Sequence, residues 1–402
     1  MTKSTRPRRP RKPYPTFPLF PHRNGLWCKK IKGRFVYFGP WSDPDGALKR
    51  YQTEAADLHN GKTPADRLER LTVRDLCNKF LTSKKRLHDN EEITHRTFMD
   101  NYATCEVLYQ LLGRDKIVDE LTAGDFERLR AKMADRWGPV RLGNTIQRIR
   151  SVFKYAFDAG LVEKPIRYGP GFNRPSKKTL RINRAKNGLR MFEAAEIRAL
   201  LDAAGQSVRA MILLGINAGL GNTDCSQLPL DALDLDRGWV NYPRPKTGVH
   251  RRCALWPETV SALREVLASR PKAKDADDAR LLFLTRFGRA WIKITADRVE
   301  PNGDGIHKAL HVVCDDAVTK EFAKLTVGLG IHRPRLGFYA LRHTFETIGG
   351  EARDQAAVDH IMGHSRDDMA SVYRERISDE RLRAVAEHVR QWLFAEQTTP
   401  VQ

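Results

Sequence analysis

No stretch of this chain approaches the 18 or so consecutive apolar residues of a membrane span, and no apolar core follows its charged start. Neither a membrane partner nor a membrane anchor is expected. Cysteine is scarce: six in 402 residues, at Cys28, Cys77, Cys105, Cys225, Cys253 and Cys314, far apart and without a CxxC or Cys-His pairing. That spacing argues against a thiolate metal site or a disulfide framework and predicts reduced, buried thiols in a cytoplasmic protein. Nor is there a carboxylate cluster that would suggest a metal. His360 and His364 are four apart, as on a helix, but Gly363 interrupts them and no acidic third ligand is placed beside them. Acid is missing altogether from residues 1–21, where Lys3, Arg6, Arg8, Arg9, Arg11 and Lys12 alternate with six prolines. Proline and like-charge repulsion predict a disordered basic arm there.

What the chain has in excess is positive charge. A formal net charge of +21 points to a polyanionic partner, because each phosphate neutralised by Lys or Arg releases counterions. The length suits two or three domains. In residues 22–65, Leu26 to Gly39 reads as two short strands joined at a Lys-Gly turn, and Asp43 to His59 reads as a helix with Ala47, Leu48, Tyr51, Ala55 and Leu58 on one stripe. Residues 70–165 read as a bundle of four or five helices. Thr72/Asp75 and Thr122/Asp125 have capping-box spacing, and Ile146, Ile149, Val152, Phe153, Ala156 and Phe157 form one apolar face. Residues 166–189, rich in Gly, Pro, Asn, Lys and Arg, read as a linker with little to bury. A last domain, 190–395, opens with helices near Phe192–Ala204 and Val208–Ala218, then strands Trp239–Tyr242 and Arg251–Leu255 around a Lys246-Thr-Gly248 turn. The fold class expected is mainly α with small β elements (α+β).

The chemistry concentrates near the C-terminal end. Arg342 in Tyr339-Ala-Leu-Arg-His-Thr-Phe, His364 in Gly-His-Ser and Tyr373 in Val-Tyr-Arg fall 22 and 9 residues apart. A tyrosine oxygen can attack a phosphodiester in line, a guanidinium can grip two non-bridging oxygens, and an imidazole can bond a third or move a proton. These residues resemble the C-terminal part of the tyrosine recombinases, or phage integrases, whose pattern is Arg-Lys-His-x-x-Arg-His-Tyr. The resemblance implies a small β-sheet-plus-helix arm-type DNA-binding module at 22–65, a SAM-like core-binding bundle at 70–165 and a mostly helical catalytic domain at 190–395. It also implies that Tyr373 forms a 3′-phosphotyrosyl intermediate and that Arg342 and His364 stabilise the transition state. Lys246 would protonate the leaving 5′ oxygen, and Tyr339, standing where the pattern has its first His, would donate to a phosphate oxygen. The partner implied is double-stranded DNA, bound by a homotetramer with DNA-bending accessory proteins in a cytoplasmic, nucleoid-associated setting. No nucleotide cofactor and no obligatory metal are implied, because the phosphodiester energy is kept in the enzyme bond.

One departure matters. The family's first arginine follows Gly-Leu, and here the run is Ala218-Gly219-Leu220-Gly221-Asn222-Thr223-Asp224, with Gly221 in the arginine's place. Two readings therefore stand: an active site-specific recombinase in which Arg244, Arg251, Arg252 or Arg335 makes good the charge, or a DNA-binding protein with the recombinase fold and impaired cleavage. The apolar stripe Leu382, Val385, Val389, Trp392 and Leu393 predicts a helix that packs either on its own domain or on a neighbouring subunit.

Overall fold

The computed structural model describes residues 9–60, 70–296, 312–365, 373 and 375–395, in two compact units, Met1–Arg184 and Ala185–Gln402. In the first unit, strands β1 (Phe20–Pro21), β2 (Leu26–Ile31) and β3 (Arg34–Pro40) form an antiparallel sheet in that order. Lys32 and Gly33, at φ 45° and 83°, make the tight turn between β2 and β3 with the positive dihedrals that such turns require. Helix α1 (Pro44–His59) starts at Asp43, whose side chain accepts from the Gly46 N–H at 2.9 Å. The sheet and helix enclose Phe17, Leu19, Trp27, Ile31, Phe38, Ala47 and Leu58. This corrects the basic arm: residues 1–8 lie outside the described residues, but Phe17 and Leu19 are core residues of the module. Two apolar side chains among prolines and arginines leave no periodic signal, yet burial decides their place.

The helical part of this unit comprises α2 (Val73–Asp89), α3 (His95–Leu111), α4 (Ala123–Ala134) and α5 (Pro139–Asp158). Thr72/Asp75 and Thr122/Asp125 form reciprocal capping boxes, satisfying backbone N–H groups that a helix start leaves unpaired. Phe80, Phe126 and Phe153 fill the core, whereas Phe157 is exposed. The 166–189 linker reading needs correction. Phe172 is fully buried, stacks on Tyr168 at 5.7 Å between ring centres, and offers its carbonyl to Arg150 at 2.7 Å. Beyond it, Lys177–Lys186 is helical (α6) with no buried residue.

The second unit is built around α8 (Gln206–Asn217), which follows α7 (Ala194–Ala203) and is buried at every position from Ala210 to Asn217. A helix apolar on all sides is a central helix. The short helix α9 (Asn222–Ser226), the sheet β4 (Leu233–Asp234), β5 (Trp239–Asn241) and β6 (Arg252–Ala254), and α10 (Pro257–Ala268) follow. Asn217 ties this sheet to the end of α8. Its amide donates to the Ala254 carbonyl at 3.0 Å and accepts from the Trp256 N–H and the Thr259 hydroxyl, both at 2.9 Å. A buried amide so fully paired fixes the root of the hairpin. Strands β7 (Ile292–Ala296) and β8 (Val312–Asp316), then α11 (Ala317–Gly328), α12 (Ala340–Glu351), α13 (Gln355–Met362) and α14 (Asp379–Phe394) complete the unit. Leu382, Val385, Val389 and Leu393 of α14 are buried in this unit's own core, and Ala386 receives the Trp256 indole N–H at 2.8 Å. Cys28, Cys77, Cys105, Cys225 and Cys253 are free and buried, while the Cys314 side chain lies outside the described residues. Among the described residues no helix is long and apolar enough to cross a membrane.

Candidate active site

Arg342 sits in the first turn of α12 and is 2 % exposed. Burial follows from its neighbours Leu341 and Phe345, which carry the core-facing stripe of the helix. The guanidinium is anchored by carbonyls rather than by a carboxylate. Nη1 donates to Gly219 O at 2.5 Å, and Nη2 donates to Met362 O at 2.6 Å and meets His364 Nε2 at 3.0 Å. These three bonds leave two of the five N–H donors of a guanidinium for a ligand. Gly219 is required for this grip. Its φ is +61°, and a Cβ there would lie 2.5 Å from Met362 Sδ.

His364 follows the left-handed Gly363 that ends α13. Because Arg342 can only donate, Nε2 is the acceptor and the ring proton sits on Nδ1. That nitrogen faces Glu346 Oε2 at 3.6 Å and Asp359 Oδ1 at 3.7 Å. Burial, then the neighbouring Arg342, push the His364 pKa below the ordinary histidine value, although the two carboxylates pull the other way. The ring is therefore neutral at pH 7. Burial first also lowers the Arg342 pKa, without threatening its charge.

The two carboxylates correct the sequence reading that no acid stands beside the histidines. Glu346, Asp359 and His364 offer three ligand atoms within 4.8 Å of one another, a geometry that could hold a cation. His360 is not among them; its ring faces His250 at 5.8 Å, and burial lowers its pKa. An open cleft of about 230 Å³ runs beside His364, lined in part by His250, Asp359, His360, Glu375 and Arg376.

Tyr339 precedes α12, is 45 % exposed, and packs edge-on to His343. Its ring also lies over Gly221, where a Cβ would meet it at 3.2 Å. The Gly221 N–H donates to Asp224 Oδ2 at 2.9 Å, and that carboxylate also receives Arg251 Nη1 at 3.2 Å. Asp224 was not singled out in the sequence; only the meeting of α9 with the hairpin gives it a role. Lys246 is exposed on the turn between β5 and β6. Tyr373 is 75 % exposed, and its neighbours Val372 and Arg374 lie outside the described residues. The structure thus joins Arg342 and His364 in one bonded cluster, sets Tyr339 at the start of the same helix, and leaves Lys246 and Tyr373 at the surface.

Comparison with known proteins agrees with this architecture. Residues 190–380 match the model of the phage integrase family. Among solved structures, a lambda integrase dimer bound to a COC′ core site shares 14% identity at a TM-score of 0.53, covering 92% of this chain and 98% of that one. A Tn1549 transposon integrase in complex with a circular intermediate DNA shares 17% identity at 0.54, covering 79% and 99%. A lambda integrase tetramer bound to a Holliday junction shares 15% at 0.54, covering 92% and 99%. At these identities the likeness is one of fold. No curated protein sequence matches the chain.

Proposed function

Through residues 190–380 the chain belongs to the phage integrase family of tyrosine recombinases, and from that premise we propose that it cuts and rejoins DNA through Tyr373. The Tyr373 oxygen attacks the scissile phosphorus, a Tyr O–P bond forms, and the P–O5′ bond breaks. The phenol proton is released to water, His364 stays bonded to Arg342 and helps stabilise the transition state, and Lys246 gives a proton to the departing 5′ oxygen. Arg342, through the two donors its anchors leave, and Tyr339, through its hydroxyl, bond the non-bridging oxygens as charge builds on them. Reversal with a second 5′-hydroxyl restores the phosphodiester. The bond energy is conserved throughout, so the reaction consumes no nucleotide.

The observation that carries this reading is the Arg342–His364 pair: a buried guanidinium held by two carbonyls, with no salt-bridging carboxylate among the described residues, against a neutral imidazole. A structural arginine in a protein core is normally neutralised by an acid; an arginine kept charged and unneutralised is suited to an incoming phosphate. The formal charge of +21 favours duplex DNA as the source of that phosphate. By analogy with the lambda integrase tetramer on a Holliday junction, we propose that four copies act on two duplexes.

The test is covalent trapping. Purified protein is mixed with nicked duplexes covering the DNA on either side of its own gene, denatured in detergent and run beside Tyr373→Phe, with a native gel shift to show that both bind. A detergent-resistant complex formed only with Tyr373 is expected. Binding by both proteins without that complex would replace the reading with a DNA-binding protein that does not cleave.

A further inference from the structure

The arginine missing at Gly221 leaves one phosphate charge unaccounted for, and the four arginines near the site differ sharply in how far they are already committed. Arg251 is buried and also lies beside Gly363, but its charge is paired: Nε donates to Tyr242 O at 2.5 Å and Nη1 to Asp224 Oδ2 at 3.2 Å, while Nη2 lies 3.2 Å from Asp224 Oδ1 without a hydrogen bond. Arg252 makes a two-pronged ion pair with Asp379, at 3.0 and 2.9 Å, and lies 4.0 Å over the Trp239 ring. Arg335 is exposed in the loop before α12, and no bond joins it to the Arg342–His364 cluster among the described residues.

Arg244 is different. Its Nη1 donates to Gly363 O at 3.3 Å, the carbonyl next to the Met362 carbonyl that anchors Arg342, and directly before His364. One turn, 362–364, therefore gathers Arg342, Arg244 and His364. Space for this is kept by Gly363, at φ +64°, where a Cβ would stand 3.0 Å from the Arg244 Cβ. Arg244 is half-buried, and among the described residues no carboxylate forms an ion pair with it. Its charge is close enough to depress the pKa of both Arg342 and His364, in each case behind the larger effect of burial. Its backbone is held as well. The Arg244 N–H donates to Val249 O at 2.8 Å, and its carbonyl accepts from the N–H groups of Thr247 and Gly248 at 3.1 and 2.8 Å, two residues before Lys246.

We propose that Arg244 is the second phosphate-binding arginine of this site, gripping a non-bridging oxygen of the scissile phosphate beside Arg342 in place of the residue absent at Gly221. The assignment rests on the recombinase reading above. Tyr339 over Gly221 fits it, because its ring lies 3.2 Å from where the Cβ of a side chain at 221 would stand.

The test measures the single-turnover rate of covalent complex formation on one nicked duplex for wild type, Arg244→Ala, Arg244→Lys and Tyr373→Phe, with native gel shifts and melting curves for all four. Arg244→Ala is expected to be about 100-fold to 1,000-fold slower, the usual cost of removing one preorganised donor from a transferring group. Arg244→Lys, which keeps the charge, is expected to fall between it and wild type, with the DNA shift unchanged in both and only the small melting loss of the one long bond to Gly363 O. Arg244→Ala at the wild-type rate beside an inactive Tyr373→Phe would overturn this assignment alone. A lysine no better than alanine, or a rate loss matched by lost melting temperature, would make Arg244 a support of the hairpin and overturn it too. A wild type that forms no covalent complex would overturn the recombinase reading and this assignment with it.

Discussion

Arg342 and Tyr373 stand at opposite extremes of the same domain, one 2 % exposed and the other 75 %. Arg342 is positioned by bonds to the carbonyls of Gly219, in the turn after α8, and of Met362, the last residue of α13, and its partner His364 follows that helix end. Lys246 and Tyr373, by contrast, are surface residues. On the proposed mechanism, the difference separates two tasks. Groups that hold a phosphate gain from being fixed before it arrives, since electrostatic stabilisation then needs no reorganisation. Groups that form a bond or give up a proton to DNA must project from the surface toward it.

The sharpest way to break this division is to remove the group proposed to form the bond. Tyr373→Phe is expected to abolish covalent complex formation while leaving the melting temperature unchanged, because an exposed hydroxyl supports no packing. Lys246→Ala is expected to slow cleavage about 100-fold to 10,000-fold, the range for a positioned general acid. Its stability should stay within about 0.5 kcal/mol of wild type. A substrate with sulfur in place of the leaving 5′ oxygen, which departs without a proton, should recover most of that rate; no recovery would remove Lys246 from the acid role.

Arg342→Met should behave in the opposite way. Cleavage is expected to fall about 100-fold to 1,000-fold, and melting should fall with it, since each carbonyl left without a donor costs about 1–3 kcal/mol. The smallest effect concerns His364. Its pKa is below the ordinary value in the folded chain, so the unfolded chain binds the proton more readily. That penalty is absent above about pH 6.5 and grows as pH falls from there through the folded value. Between pH 7.5 and 5.5 the wild type should lose more melting temperature than His364→Gln; equal losses would show that His364 does not titrate as its surroundings require.

Much of the fold was legible because its signals are local. Threonine and aspartate three apart marked the starts of α2 and α4, and the apolar period marked α5 and α14. Arg342 and His364 were singled out from their flanking residues, and the structure bonds the two side chains to each other. What stayed hidden depended on contacts between distant segments. Phe17, Leu19 and Phe172 are isolated apolar residues in polar, proline-rich stretches, and only the core they reach reveals them. Asp224, Glu346 and Asp359 look like ordinary helix acids until the fold brings them against Arg251 and His364. The ranking of Arg244 above Arg251, Arg252 and Arg335 likewise needed their partners, which sequence spacing does not give.

The most direct test of the account locates the covalent bond. Protein trapped on a nicked duplex is digested with nuclease and trypsin, and the peptides are weighed. The account predicts a nucleotide joined through its 3′-phosphate to the peptide Asp367–Arg374, at Tyr373 and nowhere else. A nucleotide mass on any other peptide would contradict it.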